Sequence, residues 1–448
     1  MKFVDLFAGI GGFHRAFTSL GHECVYACEI DEELRNLYIL NYPSAAQCTF
    51  GDLRASIDKV PHHDILCAGF PCQPFSKSGS QDGILDETRG TLFYDVLTIL
   101  DRHRPEYVFL ENVGNFERHD GGRTWRIVRR SLAKLGYDVQ ATTHMASGGN
   151  GLLSPHHFGY PHHRERFFVV GQLTPWDRNV LPRRRKSSAP NLKSIIQTAD
   201  ELTLADNDET RLSASQERCI DHWDEFLQRL PSEVPLPSFP LWGDELDARY
   251  PFEQLVPARL RKPDLAKACR YRGNGSLTTA ELLARLPSYA REAGPRFPGW
   301  KVRFIRQNRD FWNANRRYLP LEWRARLRSM PPSQRKFEWN CQGERRDLWD
   351  HVMQFRPSGL RVKRMTASPA LVAMTTTQIP ILGPEHRFLT RREGLRLQGF
   401  PDDHLLPLSR GAAFHALGNA VHVDLVRLIA ASALLALGQD TSEQLLAV

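Results

Sequence analysis

The sequence predicts an α/β protein, a doubly wound and largely parallel sheet interrupted by a basic domain of different character. Three observations carry this. Apolar strand-like runs ending in glycine or a carboxylate alternate with helical patterns over residues 1–174 and again over 366–448. Between them, over 175–365, the rhythm lapses into a chain rich in Pro, Trp and Arg. Charge is also unevenly spread: Arg259 to Arg364 carries 26 Lys and Arg against 9 Asp and Glu, an excess of 17, where the whole chain has a formal charge of only +8.

A chain of 448 residues exceeds one ordinary core, so two domains are expected, one of them assembled from the two ends. Hydrophobic residues at 41% and charged residues at 25% describe a soluble globular protein. No apolar run reaches the roughly 18 residues of a membrane span, and Met1 to Leu6 enters a strand without a signal-peptide layout, so a cytoplasmic location is expected. The 8 cysteines are irregularly spaced without a Cys-x-x-Cys pair, which predicts reduced thiols and no zinc cage.

The first strand is Phe3-Val4-Asp5-Leu6-Phe7, followed by Ala8-Gly9-Ile10-Gly11-Gly12 and a helical pattern from Phe13 to Leu20. Strand, glycine loop and helix N-terminus together suit a nucleotide-like cofactor, because glycine lets the backbone approach the ligand and the free N–H groups offer donors. His14 stands where a dinucleotide fingerprint wants its third glycine, which disfavours NAD.

The second strand, Cys24 to Cys28, leads into Glu29-Ile30-Asp31 and a helix from Glu32. A carboxylate at this strand tip is placed to accept from ribose hydroxyls; Glu29 is the candidate, with helix capping by Glu29 or Asp31 as the alternative. The short strand Thr49-Phe50 delivers Asp52 and Leu53, a contact pair for an adenine ring or a simple turn.

Next, Ile65-Leu66-Cys67-Ala68 breaks into Gly69-Phe70-Pro71-Cys72-Gln73-Pro74-Phe75-Ser76. Glycine and two prolines around one cysteine can hold a thiol rigidly at the mouth of a sheet, so Cys72 is a candidate nucleophile; a buried cysteine beside a turn is the alternative. The polar stretch up to Arg89 reads as a mobile loop.

Tyr107 to Leu110 is another buried strand and ends in Glu111-Asn112-Val113, at the sheet edge where open α/β folds gather ligands. Desolvation there would keep Glu111 protonated. A helix from Arg123 to Leu135 and a strand from Tyr137 to Thr143 follow. Then Arg164-Glu165-Arg166 opens a last strand, two arginines suited to a polar base edge or a phosphate. His156, His157, His162 and His163 lack a completing carboxylate or cysteine, so no metal is expected.

Within the central segment, Asp200 to Glu253 is acidic and either packs against the basic half or shields it. The basic part interleaves Trp300, Phe304, Phe311, Trp312, Trp323, Phe337 and Trp339 among arginines. Most of these aromatics are expected in a core, with a minority free to meet bases. The α/β character returns at Ser368. Thr390 to Glu393 has capping-box spacing, and Gly418-Asn419 precedes a helix from about Val423.

Asp5 to Gly12, Gly69 to Ser76, Glu111-Asn112-Val113, Arg164-Glu165-Arg166, Arg396-Leu397-Gln398-Gly399-Phe400-Pro401 and Gly418-Asn419-Ala420-Val421 resemble, in order, the signature motifs of the DNA cytosine-5 methyltransferases. The resemblance covers residues 1 to about 174 and about 366 to 448. It implies a Rossmann-like domain dependent on S-adenosylmethionine, with 175–365 as the target-recognition domain. By resemblance Phe7 stacks on adenine, Gly9 and Gly11 admit the methionine end, Glu29 with Ile30 takes the ribose, and Asp52 and Leu53 contact adenine. Asn419 and Val421 close the pocket. His162 stands where the family usually has Gln, which suggests a pH-dependent contact at the arginine loop.

The resemblance also implies the reaction. Carbon 5 of cytosine is too weak a nucleophile for direct methylation, and covalent addition of a Cys72 thiolate at carbon 6 would activate it. The positive surroundings of Arg164 and Arg166 would favour that thiolate, and Glu111 at ring nitrogen 3, with Arg166 at the carbonyl oxygen, would stabilise the charge that develops. The base must leave the duplex, with the loop bearing Ser76, Gln81 and Arg89 as lid and wedge. The expected partners are double-stranded DNA and a separately encoded restriction endonuclease, with the protein a monomer on DNA, nucleoid-associated when bound. Two alternatives stand beside this reading: a tRNA cytosine-5 methyltransferase, disfavoured by the large recognition domain, and a DNA-binding protein that has lost catalysis.

Overall fold

The computed structural model describes residues 1–70, 92–143, 151–184, 190–271, 273, 277–373 and 378–434. The chain forms two compact units: residues 1–209, 365–379 and 389–448 in the first, and 210–364 with 380–388 in the second.

The first unit is built on seven strands. In chain order they are β1 (Lys2–Leu6), β2 (Glu23–Cys28), β3 (Thr49–Phe50), β4 (Ile65–Ala68), β5 (Tyr107–Val113), β6 (Asp138–Ala141) and, after the short β7 (His162–His163), β8 (Arg166–Gln172). Their order across the sheet is β3-β2-β1-β4-β5-β8-β6. The first five pair in parallel, whereas β8 runs antiparallel to both β5 and β6. Phe3, Val4, Leu6 and every residue of β4 are fully buried, so these central strands are unbroken apolar runs rather than alternating ones.

The direction of winding reverses between β1 and β4, which opens a crevice at the carboxyl edge of the sheet. The glycine loop after β1, Glu29 after β2, Gly69 after β4 and the end of β5 all arrive there. Because β8 is antiparallel, it starts at that same edge: Val113 pairs with Arg166, and Glu111 with Phe168. The helix Gly12–Thr18 packs against Val423–Leu434, so the C-terminal segment completes this unit. The Thr390 capping box is present and opens the helix Arg391–Gln398. Asn419 ends the helix Arg410–Asn419, and the expected helix follows at Val423–Leu434.

The second unit carries a six-stranded sheet, ordered Arg387–Phe388, Ile381–Leu382, Val352–Arg356, Gly359–Lys363, Lys336–Asn340 and Leu241–Trp242. Trp223, Trp312, Trp323 and Phe337 are fully buried, and the three indole N–H groups donate to the carbonyls of Gln334, Trp242 and His222 respectively. Trp300, by contrast, is 54% exposed.

The acidic segment packs against arginines of the basic one. Glu225 binds Arg326, Asp244 binds Arg335 at 2.9 Å, Glu245 binds Arg309 at 2.9 Å and Glu253 binds Arg306 at 2.8 Å. Part of the basic excess is therefore neutralised inside the unit. Glu245 is buried and also accepts from the hydroxyls of Tyr250 and Tyr289, and burial pushes its carboxyl up.

Candidate active site

The crevice at the carboxyl edge holds a cavity of about 440 Å³, lined among others by Phe7, Gly9, Gly12, Glu29, Gly69, Phe70, Glu111, Arg164, Arg166, Asn419 and Val421. Its volume is in the range of small-ligand sites.

On one side stands the glycine loop. Phe7 has a left-handed backbone, φ 58°, which turns the chain sharply out of β1. Glu29 braces the loop: its carboxylate accepts the Gly9 N–H at 2.8 Å and the Asp31 N–H at 2.9 Å. One lone pair is used on each oxygen, which leaves further acceptor capacity at the cavity wall. The cap of the next helix is Asp31, through the Leu34 N–H. The capping of this strand tip thus falls to Asp31, and Glu29 braces the loop.

The loop is also held from behind. The Tyr42 hydroxyl donates to the Gly11 carbonyl at 2.9 Å, and His404 Nε2 donates to the Ile10 carbonyl at 3.0 Å. Gly11 has φ 84°, and a Cβ there would meet the Tyr42 ring at 2.2 Å, so only glycine fits. A Cβ on Gly12 would meet Val421 at 2.6 Å.

On the other side, Glu111 and Arg166 form an ion pair, Nε to Oε1 2.8 Å, with both side chains largely buried. Burial pushes the Glu111 carboxyl up, while Arg166 and Arg164 pull it down; the net shift is upward. Asn112 donates to the Phe70 carbonyl at 2.8 Å and so ties the end of β5 to the segment that leads toward Cys72.

Arg164 is almost fully buried and its guanidinium is committed to backbone. It donates to the carbonyls of Gly418 and Ala420 at 2.8 Å each and of Leu371 at 3.3 Å. Burial works against its charge and Glu111 supports it. The segment bearing Asn419 and Val421 is thereby fastened to the start of β8.

Four expected cofactor residues, Gly11, Ile30, Asp52 and Leu53, lie outside the cavity lining: Ile30 is 75% exposed, Asp52 caps the short helix Leu53–Ser56 through the Arg54 N–H, and Leu53 is buried in the core. Gly11 faces Tyr42 rather than the cavity. Cys72, Ser76, Gln81 and Arg89 fall outside the described residues.

His162 is fully buried, and neither ring nitrogen has a hydrogen-bond partner among the described residues. Burial, followed by Arg164 and His422, holds it well below the usual histidine range, so it stays neutral. The suggested pH-dependent contact is therefore corrected: this imidazole does not gain charge near neutrality. Among the described residues no group of three or more His, Cys, Asp or Glu is placed to hold a metal ion.

Sequence reasoning passed over Asn112, Tyr42 and His404 as site residues. The signal for Asn112 was its place beside Glu111 at the strand end. For Tyr42 and His404 no local pattern existed, because their partners lie far away in the chain.

Comparison with known proteins matches residues 1–434 to the family described as C-5 cytosine-specific DNA methylase. The chain belongs to that family. Its enzyme class is DNA cytosine-5 methyltransferase, and the doubly wound α/β fold agrees with it. The Type II methyltransferase M.AluI of Cellulosimicrobium cellulans is 34% identical, over 95% of this chain and 90% of that protein. The Type II methyltransferase M.BanI of Aneurinibacillus aneurinilyticus is 30% identical, over 95% of this chain and 94% of its own. The Type II methyltransferase M.HhaI of Haemophilus parahaemolyticus is 41% identical over 38% of this chain and 48% of its own.

Proposed function

We propose that this DNA methyltransferase takes a methyl group from S-adenosylmethionine and places it on carbon 5 of a cytosine flipped out of a specific duplex sequence, as the modification enzyme of a Type II restriction-modification pair. The observation that carries the reading is that one cavity joins the braced glycine loop and Glu29 to the buried Glu111–Arg166 pair. The restriction-modification role rests on the relatives, which are named Type II methyltransferases.

The residues fit S-adenosylmethionine. Glu29 retains acceptor capacity for the ribose hydroxyls, Phe7 offers an aromatic wall, and Asn419 and Val421 line the cavity beside the glycine loop, with Val421 against Gly12. When bound, this group supplies an electrophilic methyl on a sulfonium. The protein's residues do the rest. Cys72, as thiolate, adds to carbon 6 of the cytosine ring, and the electron pair moves toward nitrogen 3. Glu111, whose carboxyl is pushed up by burial, donates at nitrogen 3, and Arg166 beside it offers N–H groups to the ring carbonyl. Carbon 5 is then nucleophilic and takes the methyl; loss of its proton expels Cys72. In this reading Arg164 holds the pocket wall rather than the base.

The second unit serves as the recognition domain: its surplus arginines supply phosphate contacts, and exposed side chains such as Trp300 are available to bases. The loop bearing Ser76, Gln81 and Arg89 acts as lid and wedge, and the enzyme works in the cytoplasm, on the nucleoid, as a monomer on its site. The test is methyl incorporation from labelled S-adenosylmethionine into duplex DNA, followed by base-resolution mapping of the product. A single sequence context carrying 5-methylcytosine is expected. Labelled tRNA with unlabelled DNA in the same reaction, or methyl groups on adenine, would overturn the reading.

A further inference from the structure

In the second unit, one carboxylate stands among five arginines. Asp247 lies 3.3 Å from Arg316, 3.5 Å from Arg328 and 3.9 Å from Arg324, and its carbonyl accepts from Arg270. Arg249 is two residues further on, and its charge acts on Arg270 together with that of Arg328. Asp247 itself sits at a left-handed backbone, φ 63°, on a sharp turn.

These contacts differ from the other ion pairs of the unit. Asp244–Arg335 and Glu245–Arg309 close to 2.9 Å, as charge-assisted hydrogen bonds do. Around Asp247 all three side-chain approaches are longer than 3.2 Å, so one carboxylate is shared loosely and a local surplus of about four positive charges remains. Arg324 is the anchored member: it is largely buried and donates to the carbonyls of Leu319 and Arg316. It shares a face of the helix Leu321–Ser329 with Arg328, four residues on. Arg316 and Arg328 are 54% and 52% exposed, and Asp247 is the only carboxylate paired with either among the described residues.

Guanidinium groups crowded in this way repel one another unless an anion sits among them, and their planar forks match the two free oxygens of a phosphodiester. We infer that the arginine cluster around Asp247 is a seat for a backbone phosphate of the DNA duplex, with Arg316 and Arg328 as its ligating pair. The inference rests on the proposed function, which supplies the duplex. A phosphate contact fixes the register of the recognition unit without reading sequence.

The test is the salt dependence of duplex binding by the full chain, comparing wild type with R316A/R328A. Each phosphate contact contributes about 0.9 to the slope of log affinity against log salt. The double variant should therefore lose about 0.9 from the slope for one phosphate, and about 1.8 for two. Affinity should fall by the same factor for target and non-target duplexes, and the kinetic loss should appear in KM for DNA. An unchanged slope with a lowered melting temperature would make the cluster a structural brace of the Asp247 turn and sink the inference. A loss confined to target duplexes would make these arginines base readers and sink it equally. If the alanine pair fails to fold, R316Q/R328Q, close in shape and neutral, carries the same expectation. Preferred retention of duplex RNA over DNA by the wild type would also overturn it. Wild-type methyl transfer to DNA with an unmoved slope defeats this inference alone; absence of methyl transfer by the wild type defeats the proposed function.

Discussion

Arg164→Met tests how the cavity is closed. The guanidinium makes two 2.8 Å bonds, to the Gly418 and Ala420 carbonyls, and a weaker one to Leu371. Hydrogen bonds from a charged donor contribute about 1.5–3 kcal/mol each, and methionine would take them from the buried Gly418 carbonyl and from the Ala420 carbonyl, which keeps a 3.2 Å bond from Gln398. Relief from burying the charge offsets part of this, so a net loss of about 4 kcal/mol is expected for the catalytic unit. At the 2–4 °C per kcal/mol typical of large domains, the melting temperature should fall by roughly 8 °C or more. The released segment carries Asn419 and Val421, so affinity for S-adenosylmethionine should weaken as well. Calorimetric melting and isothermal titration with the cofactor measure both. Arg166→Met is the contrast: among the described residues Arg166 makes no bond to the C-terminal segment, so kcat should collapse while cofactor affinity changes little. If Arg164→Met instead kept its melting temperature and cofactor affinity but lost kcat, Arg164 would act on the base, and the wall-holding argument would be wrong.

Glu29→Ala removes the acceptor of two backbone N–H groups as well as the proposed ribose partner, so the cofactor dissociation constant should rise roughly tenfold or more, read by titration calorimetry. In the proposed mechanism Glu111 donates a proton, so kcat/KM should fall on the alkaline side as pH rises through its raised pKa. Glu111→Gln should be much slower and lack that limb in a pH–rate profile, and a retained limb would assign it to another group. Arg309→Met strands the buried Glu245 and should cost about 3–5 kcal/mol in the second unit. Because Glu245's folded pKa is already raised, that cost should be largest at high pH and should shrink as Glu245 takes up a proton, which denaturant melts at two pH values would show.

The strands of the first unit were legible because fully buried parallel strands are unbroken apolar runs, and each ends in glycine or a carboxylate where the sheet edge meets solvent. Glu111 and Glu29 were visible for that reason. What the sequence could not display were bonds across long separations. The carbonyl partners of Arg164 lie 207 to 256 residues away, and Tyr42 reaches Gly11 across 31 residues. Two residue types that look interchangeable at a strand tip, Glu29 and Asp31, divide bracing and capping between them; only the register of the following helix decides which does which. His162 reads as a titratable contact in sequence, but the burial that silences it is a tertiary property. The acidic segment had no evident purpose until its carboxylates were found against Arg306, Arg309, Arg326 and Arg335.

The central claim is a covalent step at Cys72, and trapping tests it most directly. Duplex DNA with 5-fluorocytosine at the target position should form a stable adduct in the presence of S-adenosylmethionine, because fluorine cannot leave as a proton does. Peptide mass spectrometry should place the attachment at Cys72. An adduct at another cysteine, or methyl transfer to ordinary DNA with no adduct on the fluorinated duplex, would contradict the account.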